Sequence, residues 1–87
     1  MSYKKRQYRL KKRVAKILAQ VGYDVIFPEN DNLFDVVAIE VDRIRYIAVM
    51  PEEPSKEVVK KYKAIKKPGD VEIWYRDGKG CLKTIYP

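Results

Sequence analysis

Residues 34–50 constrain the fold more than any other segment, because they form two apolar runs around one short polar break. Their sequence is FDVVAIEVDRIRYIAVM, and the break is Asp42-Arg43. β-Branched and aromatic residues fit a half-buried pleated surface, so the pattern predicts two β-strands, Phe34–Val41 and Ile44–Met50. The second run is almost continuously apolar, which indicates burial on both faces and a central position in a sheet.

Two amphipathic helices flank this pair of strands. The first is predicted over Tyr3–Val21, with Ser2 as its N-cap and Gly22 just after its end. Its apolar side chains recur at helical spacing and form one face: Leu10, Val14, Ile17, Leu18 and Val21. The second helix is predicted over Lys56–Lys66, with Ser55 as its N-cap.

Three further segments are predicted as strands: Asp24–Phe27, Val71–Arg76 and Cys81–Tyr86. The order of elements is therefore α-β-β-β-α-β-β. A helix between the third and fourth strands makes those two strands parallel, with a right-handed crossover. The expected fold is a single α/β domain over residues 1–87, with one mixed five-stranded sheet and packed helices.

Composition excludes several classes of site. The chain of 87 residues has no histidine and a single cysteine, so an internal disulfide and a Cys/His metal site are excluded. It has no apolar run near the length of a membrane span, which favours a cytoplasmic protein without membrane contact. Many Lys, Glu, Ile and Val residues, with two Asn and two Gln, are typical of a thermophilic proteome.

Two side chains near the end of the chain are informative. Trp74 is predicted to face opposite Ile73 and Tyr75, as an exposed interface residue or as a core residue. Cys81 has no histidine or acid close in sequence, so we expect a buried apolar residue and not a nucleophile.

Positive charge is concentrated at the two ends of the chain. The net charge is +7, with eight basic and no acidic residues in positions 1–20, and nine basic against four acidic residues in positions 56–87. Such clusters are typical of a surface for an anionic partner, most often nucleic acid. The predicted DNA-binding residues are Lys4, Lys5, Arg6, Arg9, Lys12, Arg13, Lys16, Lys60, Lys63 and Lys67. A solvated helix face is the alternative interpretation.

Two motifs carry a resemblance to a known family: GYDVI at residues 22–26 and FDVVA at residues 34–38. With the predicted order of elements, they resemble the restriction-endonuclease-like PD-(D/E)xK fold, and within it the archaeal Holliday junction resolvases. The resemblance covers about residues 3–75. It implies a nuclease-like domain and a DNA ligand.

In that family, a helix glutamate and two hairpin carboxylates bind a divalent metal, and a lysine two residues after the second carboxylate positions water. Aligned on the glycine after the first helix, these roles fall on Lys11, Asp35, Ala48 and Met50. Asp35 alone keeps a metal-binding side chain, and an ammonium at position 11 repels Mg²⁺. The resemblance therefore implies a vestigial site that holds no metal or other cofactor.

Three functions follow as expectations. The first is a non-catalytic accessory protein that binds DNA, a DNA replication or repair enzyme, or both. Its size is similar to that of an accessory subunit of the archaeal B-family DNA polymerase. The second is a divergent metal-dependent endonuclease or junction resolvase that uses Asp35 with Glu52 or Glu53. The third is a protein-interaction subunit without DNA binding. A protein partner or a homodimer is also expected, because a domain of this size is near the lower limit for folding alone.

Overall fold

The computed structural model describes residues 2–87. Within them it has two helices, α1 (Tyr3–Gln20) and α2 (Lys56–Lys63), and five strands, β1 (Asp24–Ile26), β2 (Val36–Glu40), β3 (Arg43–Met50), β4 (Asp70–Arg76) and β5 (Leu82–Ile85). The predicted α/β class and the predicted order of elements are confirmed. No helix of the described residues combines the length and the apolar content needed to cross a membrane.

The strands form one mixed sheet in the order β1-β2-β3-β4-β5. β3 and β4 are parallel, and the other neighbouring pairs are antiparallel. The parallel pair follows from the crossover through α2, because a chain that returns by a helix adds its next strand in the same direction. β3 is the central strand, as its continuous apolar sequence predicts.

Local capping explains where the helices begin and where α1 ends. The side chain of Ser2 accepts a hydrogen bond from the amide of Lys5 at 3.3 Å, and Ser55 accepts one from Val58 at 3.2 Å. Both serines satisfy an amide that lacks a partner in the first turn of a helix. Gly22 follows α1 with φ +103°, a conformation that side chains with a Cβ rarely adopt.

The two helices lie on opposite faces of the sheet. Leu10, Val14 and Leu18 of α1 pack with one set of strand residues: Val36, Ala38, Ile47, Val49 and Trp74. Tyr62 of α2 packs with Phe34 and with Ala48 and Ile73, which are sequence neighbours of the strand residues packed against α1. Neighbouring residues of a strand point to opposite faces, so the domain has three layers.

A buried ion pair lies on the α1 side of the sheet. Arg45 of β3 donates two hydrogen bonds to Glu72 of β4, both of 2.6 Å, and Glu72 is completely buried. The indole nitrogen of Trp74 donates to the same carboxylate at 3.0 Å. The guanidinium also lies 5.3 Å from the ring centroid of Tyr23, in cation–π range. The buried carboxylate therefore has three donors, as a buried charge requires.

The structure decides one prediction about side-chain burial and corrects another. Trp74 is only 8% exposed, which confirms the core alternative and excludes the exposed interface residue; α1 covers this face of the sheet. Cys81 is exposed, so its predicted burial is wrong. Cys81 precedes β5 and belongs to the turn, where its amide donates to the carboxylate of Asp77 at 2.9 Å.

Several predicted boundaries were too long. α2 ends at Lys63 instead of Lys66, because the amide of Ala64 is shared between the carbonyls of Lys60 and Lys61, which tightens the last turn. Six predicted strand residues lie outside the strands: Phe27, Phe34, Asp35, Val41, Cys81 and Tyr86. Val21, which the apolar pattern included in α1, is its C-cap and is 63% exposed.

Candidate nucleic-acid interface

The outer side of α1 carries the densest positive charge of the molecule. We call it the α1 basic face; it consists of Lys4, Lys5, Arg6, Arg9, Lys12, Arg13 and Lys16, all of them exposed or partly exposed. Within residues 2–87, Arg6 is the one member with an ion pair, to Glu52 at 2.8 Å. The other six charges have no neutralising partner there, so this face attracts anions.

The charges of α1 do not serve the stability of the helix. Its first turn has no acidic residue and its last turn has no basic residue. Lys4 and Lys5 lie at the end where the helix dipole is positive, which disfavours cations. In α2 the pattern is the stabilising one, with Glu57 in the first turn and three lysines in the last. Helix stability therefore explains the lysines of α2 and leaves those of α1 unexplained.

The arginines of the α1 basic face lie on a different side of the helix from most of its lysines. Arg6, Arg9 and Arg13 follow one another at spacings of three and four, so they share one flank of the helix. They line a groove of about 730 Å³ together with residues 51–53, and Arg76 adds a fourth guanidinium from the end of β4. We call it the arginine groove. Planar guanidinium groups match the geometry of phosphate oxygens.

Two carboxylates that line the arginine groove accept hydrogen bonds from other groups of the protein. Glu52 accepts from Arg6, whose Nε is buried and has no hydrogen-bond partner among the described residues. Asp77 accepts from the amides of Lys79 and Cys81, both at 2.9 Å. The Cys81 amide is the main cause that lowers the pKa of Asp77. The four guanidinium groups of the groove outnumber its three carboxylates, Glu52, Glu53 and Asp77, so the groove is net positive towards a ligand.

The other flank of α1 bears two exposed aromatic rings. Tyr8 is 58% exposed and Phe27, just after β1, is 40% exposed. The ammonium of Lys12 lies 5.5 Å from the ring centroid of Tyr8 and 5.9 Å from that of Phe27. Lys11 lies 5.1 Å from the Phe27 centroid. Sequence reasoning missed Phe27 because it placed this residue inside the first strand.

Asp35 is held by the backbone of the neighbouring strand and by α1. Its Oδ2 accepts from the amide of Val49 at 2.7 Å, and its Oδ1 accepts from the side-chain amide of Gln7 at 3.2 Å. Gln7 also donates to the carbonyl of Val49 at 3.3 Å. β2 pairs with β3 in register only as far as Ile47, and these two side chains take the place of the missing strand partner at Val49.

The surroundings of Asp35 favour its neutral form. Burial raises its pKa, while the Val49 amide and the charge of Lys11 act in the opposite direction. The net pKa lies above the ordinary value of 3.8. A metal-binding carboxylate needs further carboxylates nearby, and among residues 2–87 no three Asp, Glu, Cys or His side chains form such a group.

The other positions of the implied nuclease site supply no metal ligand. Lys11 is close enough for its charge to lower the pKa of Asp35. Ala48 is buried and Met50 is partly buried, and both belong to the cluster beneath α2. Glu52, one of the two alternative ligands, is engaged by Arg6. Glu53, the other, is exposed in the loop after β3 and lines the arginine groove.

The basic residues of the second helix form a separate surface. Lys60 and Lys63 are exposed on α2, and α2 packs against the face of the sheet opposite to α1. Lys67 lies beyond α2, with its ammonium 5.3 Å from the ring centroid of Tyr46 and 5.8 Å from that of Phe34. The structure therefore divides the ten predicted DNA-binding residues between two opposite sides.

Comparison of the chain with protein-family models and with curated proteins finds no match. Inference about its function consequently rests on the side chains and surfaces described above.

Proposed function

We propose that this protein binds DNA through the phosphate backbone without cleaving it, as a non-catalytic accessory factor. The observation that carries the proposal is the α1 basic face, where six cations have no ion pair within residues 2–87. Contacts from such side chains to phosphates position a protein on DNA but do not read sequence. Binding is therefore independent of sequence and strongly dependent on salt.

The helix dipoles favour α1 over α2 as the interface. Lysines in the last turn of α2 stabilise that helix, whereas the cations at the start of α1 destabilise theirs. A negatively charged binding partner offsets this unfavourable interaction between the cations and the positive end of the helix dipole. The arginine groove, on one flank of the same helix, supplies planar donors for additional phosphates.

The proposal includes a degenerate restriction-endonuclease-like fold. The mixed sheet and the position of Asp35, directly before β2 and beside β3, support this resemblance. The non-catalytic role is supported by the engagement of Asp35 with Gln7 and Val49 and by the apolar side chain of Ala48 at the position where the resemblance implies a second carboxylate. A lysine at position 11 also opposes a divalent cation near Asp35.

A protein partner is the second element of the proposal. Small domains bury a limited part of their surface, and association stabilises them further. Ile26 is 49% exposed and Val41 is 98% exposed, so apolar side chains are available for contact. The partner class is a DNA replication or repair enzyme, such as a DNA polymerase. A pull-down from native cells tests this element, and recovery of no such enzyme contradicts it.

Replacing Lys12 and Lys16 by glutamine is expected to weaken DNA binding and to flatten its salt dependence. Each lost phosphate contact lowers the slope of log K against log salt by about 0.9, so the double variant loses about 1.8. Fluorescence anisotropy of a labelled duplex between about 50 and 200 mM salt measures both quantities.

The matched control is the replacement of Lys60 and Lys63 by glutamine, which removes the same charge from α2. We expect its slope to equal that of the wild type. Equal losses in the two double variants would contradict an interface on α1. Absence of any binding by the wild type at about 50 mM salt would instead favour a protein-interaction subunit.

Incubation with Mg²⁺ or Mn²⁺ tests the endonuclease alternative. We expect duplex and branched DNA to remain intact with the wild type and with Asp35→Ala, because Asp35 holds the Val49 amide and has no carboxylate cluster around it among residues 2–87. Cleavage by the wild type that disappears in Asp35→Ala would establish a divergent endonuclease.

A further inference from the structure

Tyr8 and Phe27 are exposed aromatic rings that the protein core does not use. Phe27 follows β1 directly and belongs to neither of the two core clusters of the described residues. Tyr8 points away from the buried face that Leu10, Val14 and Leu18 form on the same helix. Rings exposed by 40% and 58% lose hydrophobic stabilisation that burial would supply.

A lysine links the two rings. The ammonium of Lys12 is 5.5 Å from one centroid and 5.9 Å from the other, so the rings lie within about 12 Å of each other. Lys11 is a second cation at the Phe27 ring, 5.1 Å from its centroid. Aromatic faces interleaved with cations match a nucleotide, because the ring stacks on the base while the ammonium contacts its phosphate.

We propose that Tyr8 and Phe27 form a stacking platform for unpaired bases, so that the preferred ligand is single-stranded DNA. Bases within a duplex are covered on both faces by their neighbours, and only an unpaired base offers a face to a protein ring. The platform adjoins the α1 basic face, whose lysines hold the backbone of the same strand. The inference rests on the proposed DNA binding and names the class of DNA.

The test uses the wild-type protein and three oligonucleotides of equal length: single-stranded thymidine, the same strand with abasic sites, and a duplex. The abasic strand keeps every phosphate and lacks the bases. Stacking is worth a factor of about 5 to 150 per base, so we expect the thymidine strand to bind more tightly than the abasic strand by at least about fivefold. The duplex reports phosphate binding alone, because its bases are covered by their neighbours.

Two variants test whether Tyr8 and Phe27 cause the preference for the thymidine strand. Tyr8→Ala with Phe27→Ala is expected to abolish the difference between the thymidine and abasic strands. Tyr86→Ala is the matched control, because Tyr86 is 65% exposed and follows β5, the strand at the opposite edge of the sheet from β1. It should retain the wild-type preference.

Equal wild-type affinity for the thymidine and abasic strands overturns the stacking platform and leaves phosphate binding intact. A preference that persists in the Tyr8→Ala, Phe27→Ala variant also overturns the assignment to these rings. Failure of all three oligonucleotides to bind at about 50 mM salt refutes the proposed function itself. The comparison of strands uses the unaltered protein, so it decides the question even if a variant does not fold.

Discussion

Replacing Glu72 by glutamine is expected to lower the free energy of unfolding by about 3–5 kcal/mol, because it leaves the charge of Arg45 buried without its counter-ion. Arg45 donates two hydrogen bonds of 2.6 Å to the carboxylate of Glu72. Glu72 is fully buried and the side chain of Arg45 is 11% exposed. A guanidinium keeps its proton under all conditions that proteins experience, so Arg45 remains charged in the variant.

A loss of this size is a large fraction of the total. At about 0.05–0.15 kcal/mol per residue, a chain of this length has a free energy of unfolding of ~4–13 kcal/mol. For domains of this size, each kcal/mol shifts the Tm by about 4–8 °C, so the Tm of Glu72→Gln should fall by more than about 12 °C. Urea unfolding and thermal scans followed by circular dichroism measure the two quantities.

A second ion pair on the same two strands is the matched control. Arg43 and Asp70 are bonded at 2.7 Å, two residues away from Arg45 and Glu72, but both side chains are exposed by more than 40%. Solvent screens such a pair, so Asp70→Asn should cause only a small fraction of the loss. Equal losses in the two variants would show that burial does not set the strength of the pair.

Removing both partners of the buried pair separates its net contribution from the cost of an orphaned charge. Arg45→Met combined with Glu72→Met should recover most of the stability that Glu72→Gln loses, because apolar groups of similar volume fill the site without a charge. Recovery should be incomplete, since the indole nitrogen of Trp74 loses its acceptor. A double variant that is less stable than Glu72→Gln contradicts this account.

The buried pair shows a limit of prediction from sequence. Arg45 and Glu72 are 27 positions apart, and they meet only through the parallel register that pairs Ile47 with Glu72 and Arg45 with Asp70. The sequence predicts that β3 and β4 are parallel, because a helix connects them. It contains no local signal for register, which depends on how the crossover packs.

Features set by neighbouring residues were predictable. Ser2, Ser55 and Gly22 are recognised from their chemistry alone, because caps and left-handed positions involve contacts a few residues apart. The opposite orientations of Ile73 and Trp74 follow from strand alternation.

Features that depend on contacts between distant elements could not be predicted from the sequence. Phe27 acquires its place beside Tyr8 only when β1 lies next to α1. The separation of Lys60 and Lys63 from the α1 basic face likewise required the positions of both helices. The sequence identified the basic helix. It could not show that the arginines of the α1 basic face line a groove, or that aromatic rings lie on the other flank of the helix.

Replacing Asp35 by alanine is expected to lower the free energy of unfolding by about 1–3 kcal/mol, because the amide of Val49 and the side chain of Gln7 lose their acceptor. Asp35→Asn is expected to lose less, since its amide oxygen still accepts from Val49. The exposed Asp24 of β1 provides the control, and Asp24→Ala should leave the unfolding free energy nearly unchanged.

The pH dependence of Asp35→Asn separates a structural carboxylate from one held in its charged form. Burial raises the pKa of Asp35 in the folded protein above its ordinary value of 3.8. Between that value and the raised pKa, the folded state binds more protons than the unfolded chain, so the contribution of Asp35 to stability falls as the pH rises. The unfolding free energy of Asp35→Asn minus that of the wild type should therefore increase through this window and then level off. Urea titrations from about pH 3 to 7 measure the difference, and a decrease with rising pH would show that the fold stabilises the carboxylate, as a cation-binding site does.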